Sequence, residues 1–253
     1  MKSKGKLGAD AAAAPWPGGR KAAADTLCEM KPSGVDLTHY SFDEFVTFLF
    51  AREIPGTDPV SEKRKPWYWN IDVTFISEQI CKYYTQLFQQ PGIVVERFSK
   101  AQLEEGFWAI QGPNLDCSVS RILEDTDLSF AVRAECIRAM FELFKGLFAF
   151  EFLDTSVFMW WDSLCYDWHC GNRKRELGGE DLQLQDVFFE TLAKVLFLDS
   201  EPCQGAALHG LGHLHHPGTP ELIERYLQQR PSLTKERKAY ALRMPSLPEL
   251  SIP

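Results

Sequence analysis

Long apolar runs are missing from this 253-residue chain. The most apolar stretch, Gly146 to Trp161, is interrupted by Glu151 and Asp154, and it falls short of the roughly 20 residues that cross a hydrocarbon core. No membrane-spanning helix is predicted, and no membrane partner is expected. The one early apolar stretch, Ala11 to Ala14, is too short for the apolar centre of a secretory signal. Positive charge is also scarce. Lys and Arg number 27 against 35 Asp and Glu, a formal net charge of −8, so the field of the whole molecule repels phosphate backbones and nucleic acid is not expected as a partner. The local basic cluster of Lys2, Lys4, Lys6, Arg20 and Lys21 reads as a solvated tail.

Several chemical signatures are absent as well. The seven cysteines are odd in number and scattered from Cys28 to Cys203, which argues against a disulfide framework and predicts reduced thiols in a cytoplasmic setting. Cys165 and Cys170 are spaced five apart, not as a C-x-x-C metal knuckle. Gly178-Gly179-Glu180-Asp181 lacks the Lys-Ser/Thr of a phosphate-cradling loop and reads as a turn opening a helix. Strand patterns are nearly absent. The only alternating run, Gly92 to Phe98, carries no hairpin signal.

What the chain does contain is helical grammar. Ser41-Phe42-Asp43-Glu44 is a capping box, followed by Phe42, Phe45, Val46, Leu49 and Phe50 on one face. Ile76, Ile80, Tyr84, Leu87 and Phe88 trace a second stripe that ends at Pro91-Gly92, and Ser99 to Gln102 is a second box ahead of Leu103, Phe107 and Ile110. A third stripe runs through Val132, Cys136, Met140, Phe144 and Leu147 or Phe148. Further helices are predicted near 156–169 and 183–198, from Ser200 to Pro217, and from Thr219 to Pro231. The predicted fold class is all-α, an irregular array of helical hairpins with no substantial sheet. Residues 1–35, rich in Ala, Gly and Pro, are predicted to be a disordered leader, and residues 36–253 a single α-helical domain.

Between Asp199 and Leu227, Cys203-Gln204-Gly205-Ala206-Ala207 followed by Leu211-Gly212 and Leu214 resembles one unit of the HEAT and armadillo class of helical repeats. Val132-Arg133-Ala134-Glu135-Cys136 is a fainter echo, and Gln204 departs from the arginine usual in that class. The resemblance implies stacked helical hairpins and a role in binding proteins. It carries no catalytic residue. Independently, the smallness of Ala206, Ala207, Gly210 and Gly212 predicts a close helix–helix contact there.

Two constellations could carry chemistry. His209 and His213 are spaced i, i+4, so two imidazoles can share one ion, with His215 and Cys203 as further candidate ligands and zinc as the implied cofactor. No glutamate follows the first histidine, so the base of the metalloprotease motif is missing, and a purely structural histidine cluster at a helix end is the simpler reading. Asp162, Cys165, Tyr166 and His169 share another helical face at i, i+3, i+4 and i+7. Cys165 with His169 would be a minimal thiolate nucleophile, but Trp161, Leu164, Cys165 and Trp168 equally form a core stripe.

Aromatic residues reach 13% and include seven Trp, more than a helical core of this size requires. Trp160, Trp161, Asp162, Tyr166, Asp167, Trp168 and His169, together with Trp67, Tyr68, Trp69 and Trp108, therefore suggest an aromatic and acidic groove. The leading expectation is a non-enzymatic cytoplasmic scaffold that binds a protein partner through this groove, without a cofactor. The alternative is a metal-binding protein or metal-dependent enzyme centred on His209 and His213.

Overall fold

The computed structural model describes residues 34–54, 66–69, 71–151, 153 and 155–246, all within one compact unit. The predicted leader, as far as residue 33, and most of the polar loop Asp58–Pro66 lie outside the described residues, as does Cys28. The fold is all-α. The described sheet consists of two parallel two-residue strands, β1 (Val35–Asp36) against β2 (Val73–Thr74).

Helix α1 (Phe42–Phe50) starts where the capping box places it. Ser41 accepts from the Glu44 amide and the Glu44 carboxylate accepts from the Ser41 amide at 2.8 Å. Helix α4 (Lys100–Gln111) starts in the same way at Ser99 and Gln102. Between them run α2 (Ser77–Gln89) and the single turn α3 (Gly92–Val95), so the alternating run at 92–98 folds as a helical turn. The short α5 (Val119–Glu124) precedes α6 (Phe130–Leu143), which widens into a π-helical turn at Phe144–Phe148. Arg133 of α6 is buried, donating to the Leu123 and Leu128 carbonyls and pairing with Glu180 at 2.5 Å. It thereby ties α6 to α5 and to the start of α9 (Gly179–Leu196). That helix begins after Gly178, whose φ of 71° suits glycine.

The site-bearing half contains α7 (Thr155–Phe158), α8 (Trp160–His169), α9, α10 (Glu201–Leu214), α11 (Thr219–Gln229) and α12 (Lys235–Arg243). Helix α10 is central and packs against α7, α8 and α9. From Cys203 to Leu214 every residue is buried except His209 and His213, which form a half-buried stripe along one edge. The predicted close contact exists at Gly210. A Cβ there would stand 2.7 Å from Trp161 Cβ and 2.9 Å from Leu192 Cδ2, so α8 and α9 both rest on bare helix backbone.

The surplus aromatics fill the core around this contact. Trp160 meets Phe88, Phe107, Phe144 and Phe148, while Trp161 stacks on Phe144 with ring centroids 5.4 Å apart. Trp168 packs on Phe188. Such pairs contribute about 0.5–1.5 kcal/mol each beyond their burial. Gln185 of α9 donates to the Leu214 carbonyl at 2.8 Å, which closes the end of α10 and leaves His215 in the left-handed conformation, φ 52°.

Candidate metal centre

Two helices supply the centre. Because Trp161 sits on Gly210, its neighbour Asp162 projects from α8 toward the edge of α10, between the levels of His209 and His213. Asp162 Oδ1 lies 2.5 Å from His209 Nε2 and 3.5 Å from His213 Nε2, and the two imidazole nitrogens are 3.3 Å apart. These three atoms form the one group of at least three ligand-type side chains close enough to share an ion among the described residues.

The dimensions suit a small divalent ion. An ion about 2.0–2.1 Å from nitrogen and oxygen ligands in tetrahedral geometry holds neighbouring ligand atoms roughly 3.3–3.4 Å apart. The edges of 3.3 and 3.5 Å already have that length, and the edge of 2.5 Å would open by about 0.9 Å. Asp162 Oδ1 is shielded from solvent and has no partner in hydrogen-bond geometry. Among the described residues only a protonated His209 ring, 2.5 Å away, balances that carboxylate, and a coordinated cation would do so with both rings neutral.

Protonation also favours coordination. Burial, reinforced by the neighbouring His209, pushes His213 down to about 4, so its ring is neutral at pH 7 and its nitrogen lone pair is available. The His209 ring is held by Phe158, stacked 4.7 Å away, and its Nδ1 faces the Tyr240 hydroxyl at 3.5 Å. That second nitrogen can donate to an oxygen while Nε2 ligates, the usual support for a histidine ligand. The side chains of Asp162, His209 and His213 are 32, 20 and 17% exposed, so the centre lies open to solvent on one side.

Other predicted residues stand elsewhere. Cys203 is not a ligand: it is fully buried and its thiol points to the Phe144 carbonyl, 3.9 Å away. His215 is outside the ligand triangle. Its Nε2 meets His169 Nδ1 at 3.1 Å, and His169 in turn packs edge-on against His213, with ring centroids 4.2 Å apart. Cys165 is fully buried and its thiol is pushed upward by burial, as the core stripe of Trp161, Leu164, Cys165 and Trp168 predicts. Trp160 and Trp161 are core residues, and Trp168, nearly as buried, lines a cleft of about 310 Å³ with Arg173, Lys174, Arg175 and His215. Of the remaining predicted binding residues, Tyr166 is exposed and Asp167 pairs with Arg173 and Asn172.

His216 is structural. Its Nδ1 accepts from the Gly218 amide, its Nε2 therefore donates to Asp186 at 3.0 Å, and its ring stacks on Phe189. The sequence groups Asp162 with Cys165, Tyr166 and His169, whereas the fold brings its carboxylate to His209 and His213. The available signal was two complementary pairs, Asp162 with His169 on one helix face and His209 with His213 on another. No family model, curated protein or solved structure matches the chain.

Proposed function

We propose that this protein binds one divalent transition-metal ion through Asp162, His209 and His213 and acts as a metal-dependent enzyme. The observation that carries this reading is the convergence of Asp162 Oδ1, His209 Nε2 and His213 Nε2 within 3.5 Å of one another at a solvent-shielded carboxylate oxygen. Three protein ligands on an open edge leave coordination positions for solvent and substrate, the pattern of catalytic rather than structural zinc sites. A two-histidine, one-carboxylate set also suits iron(II).

The reaction differs in its base from that of the H-E-x-x-H peptidases. The position of their glutamate is Gly210 here, and the space its side chain would need is filled by Trp161. His169, bonded to His215 and packed edge-on against His213, is the group that orients the His213 ring.

Zinc titration of chelator-treated protein by calorimetry tests the reading. Parent protein is expected to bind roughly one equivalent, and Asp162→Asn to weaken binding by at least about tenfold. Equal affinity in both proteins would remove Asp162 from the site and the proposal with it.

A further inference from the structure

A cleft of about 420 Å³ opens beside this centre. Val157 and Phe158 form one wall, Pro202 and Gly205 of α10 form the floor, and Leu153 completes an apolar lining. Its two charged groups pair with one another: Arg237 donates from Nη1 to the Glu201 carboxylate at 3.0 Å and from Nη2 to the Glu201 carbonyl at 2.6 Å, while its buried Nε has no hydrogen-bond partner. The lining is mostly carbon, with the Glu201–Arg237 pair at one side. Its size falls within the roughly 300–1,000 Å³ of small-molecule sites.

The cleft and the centre share structure. Phe158 lines the cleft and stacks on the metal-ligating ring of His209. Gly205 lies one helical turn before His209 on the same face of α10, and Arg237 lies one turn before Tyr240, which faces His209 Nδ1. From Glu201 to His209 the helix advances about 12 Å, the reach of a medium-length chain. The absence of a side chain at Gly205 keeps the floor low, since a Cβ there would meet only Arg237 Nη2 at 3.7 Å and Phe158 at 4.0 Å.

We infer that this cleft receives the apolar body of a small acyl- or alkyl-chain substrate whose polar head coordinates at Asp162, His209 and His213. The inference rests on the metal-centre reading, and the probes are chosen to separate the two. Acetohydroxamate carries a metal-chelating head alone, whereas octanohydroxamate adds six methylenes to the same head.

On zinc-loaded parent protein, acetohydroxamate is expected to bind and octanohydroxamate to bind at least about tenfold more tightly, the gain from burying only two of the added methylenes. Gly205→Leu, which raises the cleft floor, is expected to cut that ratio to below about threefold while leaving acetohydroxamate affinity unchanged. Pro202→Trp, at the exposed end of the same floor, is a second plug that leaves the buried helix face unchanged. Equal binding of the two hydroxamates by the parent, or a chain-length gain that survives both plugs, overturns the cleft assignment and spares the metal centre. Failure of acetohydroxamate to bind zinc-loaded protein, or failure of the protein to load, overturns both.

Discussion

Trp161 lies directly against Gly210, so close that a single methyl group on the glycine would approach Trp161 Cβ to 2.7 Å. The contact sets the separation of α8 and α10, and that separation decides whether Asp162 reaches His209 and His213. Gly210→Ala is therefore expected to act twice. Overpacking costs about 1–3 kcal/mol of stability, seen as a lower urea midpoint. Parting the helices also weakens zinc binding, although no ligand has been changed.

Ala207 is fully buried on the same helix, away from the ligand edge. Ala207→Leu is expected to lower stability by about 1–3 kcal/mol with or without zinc. His213→Ala should behave in the opposite manner. Without metal its effect on the urea midpoint is small, but it forfeits the metal-linked stabilisation, about 2.7 kcal/mol at a zinc concentration 100 times Kd. Urea midpoints of both variants, with zinc and with chelator, separate the packing effect from the ligand effect.

The pH dependence follows from His213. Its folded-state value, about 4, lies below the ordinary imidazole value near 6.5. Between these limits the unfolded chain binds the extra proton and the folded one does not, so acid favours unfolding. The contribution is complete above about pH 6.5 and is lost as pH falls toward about 4. Metal is released over the acid side of the same window, because protonated imidazole cannot ligate. His213→Gln is expected to flatten the dependence of stability on pH from 6.5 to 4, measured by urea unfolding of metal-free protein.

The capping box at Ser99 joins backbone and side chain reciprocally: the Ser99 hydroxyl receives the Gln102 amide, and Gln102 Oε1 receives the Ser99 amide at 3.0 Å. Ser99→Ala is expected to cost about 1 kcal/mol in chemical denaturation and to leave zinc affinity untouched. A change in zinc affinity would mean that α4 bears on the centre through a coupling absent from these contacts.

Much of the helical grammar was legible because it is local. Ser41 with Glu44, Ser99 with Gln102, and the Pro and Gly residues around α10 and α11 act within one or two turns, and the helices begin and end near them. Helix α12 was missed because its nine residues are mostly charged and bury only Ala241. The short α5 offers no full apolar period. At the centre, His209 and His213 were legible from their spacing, whereas Asp162 depends on packing between helices far apart in sequence. The tryptophans misled for the same reason. Trp161 looks surplus until Gly210 supplies the space into which it fits.

The metal content of protein purified without chelators or affinity-tag metals, measured by inductively coupled plasma mass spectrometry, decides whether Asp162, His209 and His213 hold an ion. Roughly one zinc or iron ion per chain is expected in the parent, and a content near zero in the Asp162→Asn, His209→Gln double variant with its helical circular dichroism intact. A parent protein that carries no metal and takes up neither zinc nor iron(II) on addition would contradict the metal-centre reading.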